Sequence, residues 1–187
     1  MPYIDVIEPE QAEGELKNIY EELIQKRGKL AEVHKIQSLN PQSIVDHMDL
    51  YMTIMFGRSP LKRYQREMVA VVVSAANECR YCQKHHAAAL QSFWKDEAKV
   101  EQLRTDFRLV DLPEKDRLLC EYGWHLTKNP DSDEIPQIVD SLKQHSFNDR
   151  AILDTCLIIS YFNFVNRMVL GLGVQLEEDE GKGYKYT

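Results

Sequence analysis

The sequence has no surplus of positive charge, no low-complexity tract, no Asn-Gly hairpin signal and no uninterrupted apolar run approaching the ~20 residues that a membrane span needs. Each absence removes a class of function. With 30 acidic against 23 basic residues, a formal net charge of −7, the chain repels a phosphate backbone and offers no basic stripe, so nucleic acid is not an expected partner. No membrane partner is expected either. The opening Met1-Pro2-Tyr3-Ile4-Asp5 carries neither the basic nor the apolar segment of a secretory leader, which leads us to expect a cytoplasmic location. Cysteine is scarce: Cys79, Cys82, Cys120 and Cys156 do not make a disulfide framework in a reducing compartment, where a close pair is catalytic or metal-binding instead.

What is present is enough for one domain. At 187 residues, 43% hydrophobic and 28% charged, the chain can bury a sizeable core. Helix signals recur. Asn40-Pro41 opens a stretch to about Phe56, Ser59-Pro60 opens the next, and Pro9 and Pro113 sit ahead of amphipathic stretches. Between Asn148 and Leu170, apolar positions spaced by three or four (Ile152, Cys156, Ile159, Phe162, Val165) predict a long helix that Gly171 and Gly173 end. The expected architecture is an all-α, single-domain helical bundle of roughly six to eight helices over residues 1–176. The acidic and polar residues 177–187 read as a solvated tail.

Met68-Val69-Ala70-Val71-Val72-Val73 is ambiguous, because a β-branched apolar run leading into Cys-x-x-C also suits a buried strand of a thioredoxin-like fold. Such a fold needs several more strands, and the rest of the chain supplies helical periods and caps. The segment is therefore read as a helix apolar all round and buried.

The chemistry-bearing segment is Cys79-Arg80-Tyr81-Cys82-Gln83-Lys84-His85-His86. Two cysteines three apart on a helix share one face, and a first cysteine at the helix start meets free amide groups that favour its thiolate. His86 falls one turn beyond Cys82 on the same face, where it can bond the thiol or take its proton. His85 points about 100° away and reads as a supporting or surface residue. A zinc site would need four ligands, and the chain has no second Cys-x-x-C. Inert buried cysteines remain an alternative reading. Phe93, Trp94, Cys120 and Cys156 read as core residues.

Glu67 lies twelve positions before Cys79, about 18 Å away on an unbroken helix. Contact requires a break, which Ala75-Ala76-Asn77-Glu78 supplies, since asparagine accepts turn conformations and caps helices. The alternative is a solvated glutamate beside Arg66 near a helix start.

Arg66-Glu67-Met68, Ser74-Ala75-Ala76-Asn77 and the Cys79 to His86 segment together resemble the alkylhydroperoxidase D and carboxymuconolactone decarboxylase superfamily, most closely its peroxidase-related branch. The motif covers residues 59–94, and Tyr161-Phe162-Asn163-Phe164-Val165-Asn166-Arg167 with Gly171-Leu172-Gly173 extends the likeness. The resemblance implies an all-helical fold, a homo-oligomer, and reduction of a small hydroperoxide without metal or organic cofactor, at the expense of a dithiol or protein reductant. By the same resemblance Cys82 is the peroxidatic cysteine, Cys79 the resolving one, and His86 and Glu67 the proton relay. The decarboxylases of the superfamily lack the cysteine pair, so its presence argues against decarboxylation. One departure stands out: alkylhydroperoxidase D has histidine just before the second cysteine, where this chain has Tyr81, a hydrogen-bonding group but a poor base at neutral pH. Rival expectations are a protein thiol-disulfide oxidoreductase and a non-enzymatic redox-sensing helical oligomer. Asn163 and Arg167 are expected to serve an interface or a salt bridge.

Overall fold

The computed structural model describes residues 1–177 and contains, among them, only helices and their connections. In chain order these are α1 (Gly14–Arg27), α2 (Glu32–Lys35), α3 (Pro41–Tyr51), α4 (Arg63–Ala76), α5 (Arg80–Trp94), α6 (Glu97–Asp106), α7 (Glu114–Lys128), α8 (Glu134–Gln144) and α9 (Asp149–Gly171). Nine α-helices among the described residues exceed the six to eight expected, because the four-residue α2 is too short to carry a periodic signal.

The apolar run of α4 forms the centre. Met68 through Val73 are all fully buried, as a helix apolar all round requires, with α5, α7 and α9 packed around it. Each of its valines contributes about 1.5–3 kcal/mol by leaving water. Residues 10 to 30 and α3 gather a smaller apolar cluster around Tyr20 and Ile44, and Met48 packs against both clusters.

The start of α4 differs from the expectation at Ser59-Pro60. Ser59 caps nothing: its hydroxyl donates to Asp154 and accepts from the Leu61 amide. The helix begins at Arg63, where the Gln65 side chain accepts the Lys62 amide at 2.9 Å, so the start is three residues later. Arg66 is buried rather than surface-bound. Its guanidinium donates to the carbonyls of Ile54, Met55, Gly57 and Leu61, which ties the π-turn Met52–Phe56 to α4.

The long helix predicted after Asn148 is α9, and the Asn148 side chain accepts the Ala151 amide at 2.9 Å. Its 23 residues are long and apolar enough to cross a bilayer by length and composition, although the sequence pattern suggested no such segment; half of that stretch is buried within the bundle, as a core helix would be. Phe93 corrects another expectation, being 44% exposed on the outer face of α5, whereas Trp94 packs partly against the core. Glu177 is not solvated either, as the site geometry makes plain. Residues 178–187, the rest of the expected tail, lie outside the described residues.

Candidate active site

The chain breaks where Glu67 needs it to. After Ala76, Asn77 keeps helical angles and Glu78 turns to φ +57°, a left-handed conformation uncommon outside glycine. This reverses the chain into α5 and leaves Cys79 at the N-cap position. Asn77 is held there by α9: its amide donates to Asn163 Oδ1 at 3.1 Å and Asn166 Oδ1 at 2.9 Å. Asn163 in turn donates to Thr127 and accepts from Arg167. Asn163 and Arg167 thus belong to a polar tie between α9 and the α4–α5 junction, and among the described residues neither the expected salt bridge nor any other ion pair of Arg167 forms.

The reversal folds α5 back along α4 and brings Glu67 to His86. Glu67 is fully buried, and its Oε2 meets His86 Nδ1 at 2.7 Å while Oε1 accepts from Arg63. A carboxylate in an apolar helix is costly unless partnered, and here both oxygens are. The reading of Glu67 as a surface residue is ruled out. Arg63, one turn before it, was not foreseen, although the i, i+4 spacing of an arginine and a glutamate is a readable signal.

Cys79 and Cys82 are both thiols with their sulfurs 3.0 Å apart and hydrogen-bonded. Their ionisation splits. The Cys82 hydrogen bond, with the amides of Cys82 and Tyr81 at the helix start, draws the Cys79 thiol below its ordinary value although burial opposes it. Burial, and then the neighbouring Cys79, pushes Cys82 well up, with a hydrogen bond from Asn166 partly offsetting this. The first negative charge of the pair therefore rests on Cys79. His86 does not bond Cys82 as the spacing suggested: its Nδ1 is turned to Glu67, its ring stands edge-on to Phe162 at 4.4 Å, and among the described residues no hydrogen bond joins it to Cys82.

The two cysteines face different spaces. Cys82 lines a cavity of about 80 Å³ together with His86, Tyr161 and Phe162, while Cys79 borders a cleft shaped by Glu78, Arg80, Val169 and residues 174–177. Buried Tyr161, whose hydroxyl burial raises well above its ordinary value, remains a neutral phenol beside the cavity. Tyr81 and His85 support the wall. Their rings lie 4.3 Å apart, and both bond Glu177, Tyr81 Oη donating to Oε1 at 3.0 Å and His85 Nε2 meeting Oε2 at 2.8 Å. Tyr81 Oη also accepts the Val33 amide, so the tyrosine fastens both α2 and the C-terminal segment over the motif. Burial alone would raise the Glu177 carboxyl, but the His85 bond and charge and nearby backbone amides bring it down to about 2. No cluster of three or more metal-ligating side chains occurs among the described residues.

The model of the carboxymuconolactone decarboxylase family matches residues 46–106, which contain Glu67, both motif cysteines and His86. An uncharacterized peroxidase-related protein from Silicibacter sp. TM1040 is 26% identical and superposes with a TM-score of 0.81, covering 97% of this chain and 92% of its own. These two findings support the alkylhydroperoxidase D and carboxymuconolactone decarboxylase superfamily. The alkylhydroperoxidase D core of an uncharacterized peroxidase-related protein from Ralstonia eutropha JMP134 gives a TM-score of 0.85 at 23% identity and covers 98% of both chains. The debrominase Bmp8 gives 0.78 at 19% identity, covering 95% of this chain and 94% of that one. These last two likenesses establish the fold.

Proposed function

We propose that this chain is a thiol-dependent peroxidase that reduces a hydroperoxide with the Cys79/Cys82 dithiol. The observation that carries the reading is the hydrogen-bonded thiol pair, one sulfur of which lines a cavity shared with a histidine paired to a buried glutamate. Cys79, as the first anion, is the immediate base for Cys82: the proton crosses between the sulfurs and leaves the thiolate on the side where the peroxide enters. The Cys82 thiolate attacks the terminal oxygen, the O–O bond breaks, and His86, oriented by Glu67, gives a proton to the departing alkoxide. Cys82 is then a sulfenic acid. The Cys79 thiol condenses with it, the disulfide forms and water leaves. The sum is one hydroperoxide and one dithiol converted to an alcohol, water and a disulfide, which a small external dithiol returns to the thiols, reaching Cys79 from its cleft.

Burial weighs against the rival of protein disulfide exchange, since Cys82 is 2% and Cys79 0% exposed, too enclosed for a folded protein's disulfide to approach. A reducing compartment such as the cytoplasm suits the cycle, because the dithiol must be regenerated. The deciding experiment is consumption of hydrogen peroxide and small organic hydroperoxides with a dithiol reductant. Turnover that disappears in Cys82→Ser supports the reading; absence of turnover with every peroxide sinks it. Bromide release from a brominated aromatic in the same assay separates peroxide reduction from the chemistry for which Bmp8 is named.

A further inference from the structure

The cavity beside Cys82 carries two polar nitrogens that the peroxidase reading does not use. Arg27, at the end of α1, lines it, and its Nε is buried without a hydrogen-bond partner. Among the described residues no carboxylate lies within 4 Å of its guanidinium; it touches the Tyr51 and Phe56 rings, the Tyr51 hydroxyl and the Met52 sulfur, all of them neutral. His34, on α2, lines the same cavity, is nine-tenths buried, and its Nδ1 is also without a partner. A guanidinium cannot shed its charge, and a buried polar nitrogen left unmatched is destabilising. Two side chains with such nitrogens line one cavity, and a chain of net charge −7 has placed a cation there.

We propose that this cavity takes a small organic hydroperoxide bearing a carboxylate, with the carboxylate held by the Arg27 guanidinium and the His34 Nδ1–H and the peroxide directed at Cys82. The proposal rests on the peroxidase reading for its chemistry, but its anion site is separable from it. The remaining wall, including Val33, Met48, Val165 and Phe162, is apolar and suits a short hydrocarbon between the two polar ends. Burial of His34, together with the cationic Arg27 and the neighbouring His47, lowers its imidazole to about 3, so it meets an anion as a neutral donor at physiological pH.

The test uses two matched pairs. For turnover, 3-hydroperoxy-3-methylbutanoate is compared with its isosteric amide; for binding, the redox-inert 3-hydroxy-3-methylbutanoate is compared with its amide by calorimetry. A charge-assisted contact predicts kcat/KM and affinity at least about tenfold in favour of the carboxylate, and a ratio near one in Arg27→Gln, while Arg27→Lys keeps part of the preference. Equal binding of acid and amide by the unmodified protein, or no binding of the acid, overturns the anion site whether or not peroxide is consumed. Preferential binding of the acid with no peroxide turnover keeps the anion site and sinks the peroxidase reading instead.

Discussion

Glu67 Oε2 and His86 Nδ1 stand 2.7 Å apart across 19 residues of sequence, and the contact exists because Glu78 adopts a left-handed turn that folds α5 back on α4. The buried carboxylate fixes which imidazole nitrogen carries the inward bond and leaves the other free for the cavity.

Glu67→Gln tests this directly. The amide preserves shape and one acceptor for His86 but exchanges no proton at neutral pH, so peroxide turnover is expected to fall about a hundredfold with helical content retained. Circular dichroism and steady-state kinetics check it; unchanged turnover removes Glu67 from the mechanism.

The split ionisation of the cysteines predicts an ordering of thiol titrations. Thiolate absorbance against pH should show its first transition below the ordinary value of 9.0, and this transition should be absent in Cys79→Ser, whose remaining Cys82 titrates above 9.0 because burial persists. A low transition that survives in Cys79→Ser would assign the first thiolate to Cys82.

Glu177 links pH to the closure over the motif. Its carboxyl is depressed from 4.5 to about 2, so its stabilisation is fully present above pH 4.5 and is lost as pH falls through about 2. The difference in thermal midpoint between the unmodified protein and Glu177→Gln should be largest above pH 4.5 and shrink across that window. A difference that does not vary with pH would mean that Glu177 contributes shape alone.

The outer stripe of α9, with Leu153 at 54%, Leu157 at 42% and Phe164 at 53% exposure, leaves apolar side chains on one face of a helix already half buried. We propose that a second copy of this chain covers it. Light scattering is expected to give at least a dimer at micromolar protein, and Leu157→Glu to shift the population toward monomer; a monomeric unmodified protein contradicts this.

Much of this arrangement was legible in residue spacing. The buried helix at Met68–Val73, a break within residues 75–78, Cys79 at the start of α5 and the inward Glu67 all follow from apolar run length, turn chemistry and the cost of burying a carboxylate, although the turn falls at Glu78 and Asn77 does not cap α5. Long-range partners were not legible. Asn166 reaches Asn77 across 89 residues, and Arg27, His34 and Glu177 join the site only through tertiary folding, so no local pattern marks them. Asn166 did leave one sign, a polar residue between Val165 and Val169 on a buried stripe. The rotamer of His86 was beyond reach too: helical spacing put it on the face of Cys82, but its bond to Glu67 decides where the ring points.

The central claim is that Cys82 attacks the peroxide although Cys79 holds the first charge. The measurement closest to it is covalent trapping of sulfenic acid after one equivalent of hydroperoxide, read by mass spectrometry of each cysteine peptide. Cys79→Ser should trap the adduct on Cys82, more slowly for want of its neighbouring base, and Cys82→Ser should give none. An adduct on Cys79 in Cys82→Ser, with none on Cys82 in Cys79→Ser, would contradict the account.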